Sequence, residues 1–295
     1  MRTVFLLGCC GLMLACTGGA EVQDSDTDTE TDSDTDEEKR EGPAYSGGNA
    51  GLDCPSLTAG RNREFPSGDD TREFILELPS DPNGAPVVFA WHWLGGSADR
   101  ILGYSTIGAF AEKYNAIVVA PESRGLTYEW DTFEEDDHSP DLVLFDDLLS
   151  CLWQQYEVDL DRVYATGMSA GGMWTVTLTH QRSEWLAASA PLSGGATSMS
   201  WNPEEAIPVL LTWGGVTDLY GSFSFHDSSL ALSEQLTQNE QFVAHCVHSE
   251  GHTLPPGDED YLWTFFESHP KGVNPEPWAE ALPSSLPSWC SLKGE

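Results

Sequence analysis

Short apolar segments alternate with longer mixed segments from residue 72 to about residue 250. Several short segments, such as Val87–Trp91, are continuously apolar, which is typical of strands covered on both faces of a sheet. Residues 142–156 instead carry apolar side chains at near-helical spacing. This alternation predicts the α/β class, with a mostly parallel central sheet and helices on both faces.

The predicted elements form one continuous series without an internal repeat. Predicted strands are residues 73–78, 87–91, 116–120, 163–166, 188–192, 209–212 and 242–247, and predicted helices are residues 101–114, 142–156, 171–181 and 228–239. We therefore expect a single domain over residues 49–295, with a tail rich in Pro and Trp laid over its surface.

Composition and charge restrict the function. The 295-residue chain is 40% hydrophobic and 11% aromatic, which is typical of a globular protein with a sizeable core. Its formal charge of −35 repels phosphate backbones and anionic headgroups, so we expect no nucleic-acid partner. Two interpretations of the acidity remain open: the first is solubility or a salty habitat, and the second is a preference for neutral or cationic substrates.

The N-terminus carries the pattern of an export signal. Arg2 precedes an apolar run from Val4 to Leu14, which is too short to span a bilayer. We place a signal peptide at residues 1–15. Residues 12–16 resemble the lipobox of bacterial lipoproteins, and this resemblance implies cleavage before Cys16 and a lipid anchor on its thiol. Ordinary cleavage with full secretion is the alternative.

An acidic segment, residues 16–48, follows the signal. Residues 21–42 hold 11 of the 48 acidic residues, and residues 24–38 contain no apolar side chain. Such a segment cannot offset its ordering entropy by burial, so we expect a disordered, extended spacer. Calcium binding is the alternative, although an EF-hand loop beginning at Asp24 would need Gly where Thr29 stands.

Four cysteines belong to the expected domain, namely Cys54, Cys151, Cys246 and Cys290. An even number in an exported chain predicts two disulfides. Three pairings are possible, of which we favour Cys54 with Cys290 because it would join the two ends of the domain. Free buried thiols are the alternative.

The segment Gly167-Met168-Ser169-Ala170-Gly171 falls at the end of a predicted strand and opens a predicted helix. In this setting a Gly-x-Ser-x-Gly turn strains the serine, and its glycines leave room for crossing backbones. We predict that Ser169 is a nucleophile and that the N–H of Ala170 is an oxyanion donor. A glycine-rich turn without chemistry is the alternative.

A serine nucleophile needs a base and an acid that orients the base. In α/β-hydrolases the chain order is Ser, acid and His, which confines the base to the six histidines after Ser169, namely His180, His226, His245, His248, His252 and His269. His252 is the best placed of them because it follows the last predicted strand. The acid should follow the preceding strand, where Asp218 fits and Asp227 is the alternative.

The remaining oxyanion donor should come from the loop after residues 87–91. We assign it to the backbone N–H of Leu94, with Trp93 as the alternative, and we expect the His92 side chain to be structural. Candidate substrate-contacting side chains near the predicted loops are Trp93, Met168, Trp174 and Trp213.

A zinc site is the competing interpretation, because His245, His248 and His252 are spaced by three and four residues. They straddle a strand end, however, where alternate side chains point to opposite faces. We therefore expect no metal and no other cofactor.

Residues 158–173, the run at residues 185–191 and Gly251-His252-Thr253 together resemble the polyhydroxybutyrate-depolymerase-like esterase family of α/β-hydrolases, which includes feruloyl and acetylxylan esterases. The likeness covers roughly residues 74–266. It implies the α/β-hydrolase fold, a triad of Ser169, Asp218 and His252, and hydrolysis of carboxylic esters through an acyl-enzyme. The chain departs from the family pattern at Trp93, where relatives usually have Gly, and in an acid loop one residue longer.

We accordingly expect a lipid-anchored or secreted ester hydrolase. Polyester and plant-wall esters are equally expected substrates, followed by small soluble esters. The alternative from another class is a non-catalytic surface lipoprotein that uses the same fold as a binding module.

Overall fold

The computed structural model describes residues 40–47, 53–125, 129–132, 139–195, 201–257 and 259–292. The expected signal peptide, Cys16 and most of the acidic spacer lie outside these residues. The described strands are β1 Gly60–Ser67, β2 Asp70–Glu77, β3 Val87–Trp91, β4 Ile117–Pro121, β5 Val163–Met168, β6 Ala188–Leu192, β7 Val209–Trp213, β8 Leu219–Tyr220, β9 Phe223–Ser224, β10 Val243–Val247 and β11 Cys290–Ser291. The described α-helices are α1 Ala98–Tyr104, α2 Phe110–Tyr114, α3 Pro140–Tyr156, α4 Ala170–Gln181, α5 Phe225–Gln238 and α6 Asp260–Ser268.

A nine-stranded sheet forms the centre of the domain, in the order β1-β2-β4-β3-β5-β6-β7-β10-β11. The strands from β4 to β10 in this order are parallel, whereas β1, β2 and β11 pair antiparallel at the two edges. The inner strands β3 to β7 are buried along their whole length. The predicted α/β class with a mostly parallel sheet is confirmed.

Helices cover both faces of this sheet. Alternate residues of β3 point to opposite faces, so that Phe89 packs in the hydrophobic cluster with α3 and α4, while Val88 packs in the cluster with α1, α2 and α6. A third cluster joins α5 to the side of β7 that carries Leu211. Two-sided burial explains why the inner strands are apolar at every position.

The predicted helix over residues 101–114 is interrupted. Helix α1 ends at Tyr104, and a short 3-10 turn, Ile107–Ala109, precedes α2. At the break, the N–H and Oγ1–H of Thr106 both donate to Oε2 of Glu259. A carboxylate distant in sequence therefore accepts the backbone N–H of Thr106, which a continuous helix would use.

Several elements were not predicted from the sequence. Strand β1 lies outside the apolar pattern because it is an edge strand with partly exposed side chains. Helix α6 buries Tyr261, Leu262, Phe265 and Phe266 on one face, so its helical periodicity is present in the sequence.

The two disulfides join Cys54 to Cys151 and Cys246 to Cys290. The expected pairing of Cys54 with Cys290 is therefore wrong. Cys54 precedes β1 and Cys290 begins β11, and these strands form opposite edges of the sheet. A disulfide needs Cα atoms within about 7 Å, which opposite edges cannot provide.

Residues before position 49 also contact the domain. Arg40–Glu295 forms one compact unit. The hydroxyl of Tyr45 donates to the carbonyl oxygen of Pro66 at 2.9 Å, and the N–H of Ser46 donates to Asp147. Within the described ranges, no helix combines the length and apolar character needed to cross a membrane.

Candidate active site

Ser169 occupies the sharp turn between β5 and α4. Its backbone has φ 58° and ψ −116°, a conformation that residues other than Gly rarely adopt. A Cβ on Gly171 would lie 2.1 Å from the carbonyl oxygen of Trp91, and one on Gly167 would lie 2.5 Å from the carbonyl oxygen of Gly171. Only glycine fits at both positions, so the Gly-x-Ser-x-Gly pattern follows from the crossing of β3 and the turn.

The three predicted triad residues meet in one hydrogen-bonded chain. Nε2 of His252 lies 2.9 Å from Oγ of Ser169, and Nδ1 of His252 lies 2.7 Å from Oδ1 of Asp218. Asp227, the alternative acid, is exposed near the start of α5. In this geometry the imidazole can accept the serine proton while a carboxylate orients the ring.

The loops that carry Asp218 and His252 touch at two glycines. A Cβ on Gly214 would lie 1.9 Å from the carbonyl oxygen of Gly251, and Gly251 has φ 71°. At this point the backbones of the two loops pack directly against each other. The ring of Phe225 stacks on His252 with centroids 4.3 Å apart, and Tyr220 lies against the same imidazole at 5.9 Å.

Asp218 is fully buried and accepts hydrogen bonds from three neighbours. These come from His252, the N–H of Gly214 at 2.7 Å and the hydroxyl of Ser193 at 2.7 Å. Burial alone would raise the pKa of Asp218, but these hydrogen bonds outweigh it and hold the pKa below its ordinary value. The carboxylate is therefore ionised at neutral pH and can stabilise an imidazolium.

The two predicted oxyanion donors border the same cavity as Ser169. Ala170 is the first residue of α4, where N–H groups lack intrahelical acceptors. Among the described residues, neither the N–H of Leu94 nor that of Ala170 has a hydrogen-bond acceptor. Both groups are available to an oxygen atom bound beside Ser169.

The loop that carries Leu94 is held from two sides. The N–H of Gly96 donates to the carbonyl oxygen of Trp93 at 2.8 Å, and the N–H of Gly95 donates to Oε1 of Glu129 at 2.8 Å. Ser123 in turn donates its hydroxyl to Oε2 of Glu129. Glu129 therefore ties the loop after β3 to the segment after β4.

His92 lies beneath this loop as a buried structural group. Its Nδ1 lies 2.9 Å from the carbonyl oxygen of Trp93, and its Nε2 accepts the N–H of Ser123 at 3.2 Å. Burial lowers the pKa of His92. A neutral imidazole therefore supports the loop, and the carbonyl of His92 accepts the indole N–H of Trp130 at 2.9 Å.

The histidines of the competing zinc interpretation have separate partners. Nε2 of His245 lies 2.7 Å from the hydroxyl of Ser233, and Nδ1 of His248 accepts the N–H of Glu250 at 3.2 Å. His252 contacts Asp218 and Ser169 instead. The part of the chain that the structure describes contains no cluster of three or more His, Cys, Asp or Glu side chains suited to a metal ion.

Two cavities open beside Ser169. The first, of about 290 Å³, is lined by Trp93, Leu94, Tyr104, Met168, Ser169, Tyr220, His252, Thr253 and Leu254. The second, of about 270 Å³, is lined by Leu94, Thr132, Ser169, Ala170, Met173, Tyr220, Phe223 and Phe225. Two of the predicted substrate-contacting residues, Trp93 and Met168, thus lie at the first cavity.

The prediction that Trp174 and Trp213 contact substrate is wrong. Both side chains are fully buried. Trp174 lies on the face of α4 that packs against Trp91, with ring centroids 5.8 Å apart. Trp213 donates its indole N–H to Nδ1 of His226 at 3.0 Å, inside the cluster under α5. Both indoles therefore stabilise the core.

Sequence reasoning missed the aromatic residues that surround the nucleophile, namely Tyr104, Tyr220, Phe223 and Phe225. Three of them follow Asp218 within seven positions, in the hairpin β8–β9 and at the start of α5. The available signal was the group of large apolar residues among Gly and Ser at positions 219–225, between predicted elements, because such residues in a loop are exposed unless something covers them.

Comparison with curated proteins finds relatives named as esterases. NocK of Nocardia uniformis subsp. tsuyamanensis, named as an esterase, is 29% identical over 168 residues, or 53% of this chain and 48% of NocK. Feruloyl esterase B of Thermothelomyces thermophilus is 28% identical over 160 residues, or 52% of this chain and 55% of that protein. The chain therefore spans about half the length of these curated relatives. No family model matches it.

Solved structures show the same fold. The crystal structure of native sOPH has a TM-score of 0.64 at 21% identity and covers 81% of this chain and 96% of that chain. Acetyl xylan esterase from Aspergillus awamori has a TM-score of 0.52 at 17% identity and covers 70% of this chain and 100% of that chain. At these identities the solved structures support the fold, and the curated relatives show sequence similarity to proteins named as esterases. The chain has the α/β-hydrolase fold that its motifs predict, and in sequence it is similar to feruloyl esterases.

Proposed function

We propose that the protein is an exported serine hydrolase that cleaves carboxylic esters. Ser169 is the nucleophile, His252 the general base and acid, and Asp218 the carboxylate that orients the imidazole. The supporting observation is the continuous hydrogen-bonded chain from Oγ of Ser169 through His252 to the buried Asp218. The esterase relatives support the same reaction class.

The reaction proceeds through an acyl-enzyme. Nε2 of His252 takes the proton of Ser169 as Oγ attacks the ester carbonyl carbon. The carbonyl oxygen becomes an oxyanion that accepts the N–H groups of Leu94 and Ala170, each donor contributing about 3–4 kcal/mol. His252 then protonates the leaving alcohol, and afterwards it activates the water that hydrolyses the acyl-enzyme. No cofactor takes part in these steps.

We propose two classes of ester as substrates. Polyester and plant-wall esters, such as feruloyl or acetyl esters of xylan, rank equally, and the names of the curated relatives support a feruloyl ester. A panel of hydroxybutyrate polymer, feruloylated sugar and acetylated xylan separates them. The preferred substrate is the one with the highest kcat/KM.

Export and anchoring belong to the same proposal. Two disulfides support an oxidising compartment, and the lipobox-like residues before Cys16 support a lipid anchor followed by the acidic spacer. Cys16→Ser should move the protein from the membrane fraction to the soluble fraction. Equal membrane content in both proteins would contradict the anchor.

Covalent labelling tests the catalytic assignment. A fluorophosphonate probe should label the wild-type protein at Ser169, and Ser169→Ala should lose both labelling and turnover of a short-chain nitrophenyl ester while keeping its melting temperature. Ser233→Ala is the matched control, because this serine contacts His245 away from the nucleophile. An unlabelled wild-type protein would favour the binding-module alternative.

A further inference from the structure

We infer that the two cavities beside Ser169 are separate sites for the two halves of the ester. The cavity of about 290 Å³ takes the alcohol and the cavity of about 270 Å³ takes the acyl group. The substrate class is therefore an uncharged ester with apolar groups on both sides of the scissile bond. This inference rests on the proposed function of Ser169.

The two cavities meet at the nucleophile and share three lining residues. Leu94, Ser169 and Tyr220 line both of them, and each cavity has further walls of its own. A bond attacked by Oγ of Ser169 lies where the cavities join. The groups on its two sides therefore extend in two directions, past Leu94 and Tyr220.

Proton transfer distinguishes the two directions. His252 must give its proton to the oxygen of the leaving alcohol, so the alcohol lies on the side of Nε2. His252 lines the larger cavity together with Trp93, Tyr104 and Leu254. That cavity is consequently the alcohol site.

The acyl chain takes the remaining direction. The smaller cavity lies on the other side of Oγ of Ser169 and is lined by Ala170, Met173, Phe223 and Phe225. Because the leaving alcohol occupies the side of Nε2, the acyl chain extends into this smaller cavity. The smaller cavity is consequently the acyl site, with Met173 and Phe223 limiting its length.

The lining explains the preference for uncharged groups. Among the residues that the structure describes, no Lys, Arg, Asp or Glu lines either cavity. A charged group would lose hydration there without gaining a partner. Four of the seven large apolar side chains that are exposed among the described residues line these cavities, namely Leu94, Tyr104, Tyr220 and Phe223. Such a concentration of exposed apolar surface marks a binding site.

The kinetics of an acyl-enzyme can separate the two sites. Once the acyl-enzyme has formed, the alcohol has left, so a residue of the alcohol site affects acylation alone. A residue of the acyl site affects deacylation as well. Tyr104→Ala and Met173→Ala test the two sites, and Phe223→Ala is a second acyl-site variant at a position that is 41% exposed. Val273→Ala is the control, because this exposed apolar residue borders a different cavity.

The alcohol site is tested with benzyl butyrate and methyl butyrate. Tyr104→Ala should lower kcat/KM for the benzyl ester by about tenfold relative to the methyl ester, a typical cost of losing an apolar contact. Its deacylation rate constant, measured after a nitrophenyl butyrate burst, should equal that of the wild-type protein. A changed deacylation rate constant, or equal losses for both esters, would overturn the alcohol assignment.

The acyl site is tested with nitrophenyl esters of increasing chain length. Met173→Ala and Phe223→Ala should shift the preferred acyl group to longer chains and change its deacylation rate constant, while Val273→Ala should do neither. The nitrophenyl monoester of succinate should react more slowly than the butyrate ester, by a factor of about ten or more, since its free carboxylate must be desolvated. An unshifted acyl preference, or equal rates for succinate and butyrate, would overturn the inference.

Fluorophosphonate labelling keeps the two proposals distinguishable. If Ser169 is labelled in every variant but the kinetic separation is absent, the site assignment fails and the proposed hydrolase function stands. If the wild-type protein is neither labelled nor active, the proposed function fails, and the site assignment fails with it.

Discussion

Phe225 stacks on the imidazole of His252, with ring centroids 4.3 Å apart and planes inclined by 16°. The backbone N–H of Phe225 donates to the carbonyl oxygen of Asp218 at 2.9 Å, which fixes this ring relative to the acid loop. When His252 gains a proton during the reaction, its positive charge lies against an aromatic face. Such a contact stabilises a cation.

Phe225→Leu should therefore lower kcat for a nitrophenyl acetate by about tenfold, because a cation–π contact of about 1–2 kcal/mol is lost. Phe225→Tyr keeps the aromatic face and should retain most of the wild-type kcat. Steady-state kinetics of the three proteins provide the measurement. Equal kcat values for the Leu and Tyr variants would contradict a role for the aromatic face.

Asp218→Asn should lower kcat by about 10⁴-fold, since the amide presents the wrong hydrogen-bonding group to the imidazole. Because His252, Gly214 and Ser193 hold the pKa of Asp218 below its ordinary value, its carboxylate stabilises the folded state. This contribution is full above the unfolded-state pKa of about 3.9 and is lost as the pH falls through the lower folded-state value.

The difference in melting temperature between the wild-type protein and Asp218→Asn should therefore shrink as the pH is lowered from about 5 to about 3. Burial raises the pKa of Asp141 and of Asp146, which gives these groups the opposite pH dependence. Both are present in both proteins, so their contributions cancel in the comparison. A difference that grows toward low pH would contradict the assigned direction for Asp218.

Gly171→Ala should destabilise the protein by about 2 kcal/mol or more, because its Cβ meets the carbonyl oxygen of Trp91 and cannot be accommodated without moving backbone. Gly103→Ala is the matched control. Gly103 lies in α1 with nothing within 4 Å of an added Cβ, so this change should stabilise the protein by about 0.4–1 kcal/mol. Denaturant unfolding measures both, and a neutral Gly171→Ala would contradict the close approach.

Glu129→Ala should lower kcat by about tenfold or more with little change in KM, because losing the bond to Gly95 loosens the loop that carries the oxyanion donor of Leu94. Glu129→Gln keeps an acceptor for the N–H of Gly95 and should retain much more activity than the Ala variant. If both variants matched the wild-type kcat, the hydrogen bond from Gly95 to Glu129 would have no role in positioning the loop that carries Leu94.

The sequence predicted the inner sheet because its strands are buried on both faces, which leaves an unbroken apolar pattern at positions such as residues 87–91 and 188–192. It placed Ser169, Asp218 and His252 together because the reactive groups of this fold follow strand ends in a fixed order. Both inferences use patterns and an order of elements that can be read along the chain without knowing the spatial contacts.

The parts that sequence could not provide depend on long-range contacts. The pairing of Cys54 with Cys151 requires the order of strands in the sheet, which places β1 and β11 at opposite edges. The break after α1 depends on Glu259, which is 153 residues from Thr106. The burial of Trp174 depends on which side of α4 faces Trp91.

The segment from Asp218 to Phe225 combines two tasks in one short stretch of chain. At its start it supplies the carboxylate behind His252, and in the hairpin β8–β9 it supplies the aromatic side chains that border the cavities. Exchanging the hairpin tip alone would remodel selectivity without disturbing the sheet. Inserting or deleting a residue nearer Asp218 would displace the carboxylate as well, so diversification of this loop is expected at its tip and not at its base.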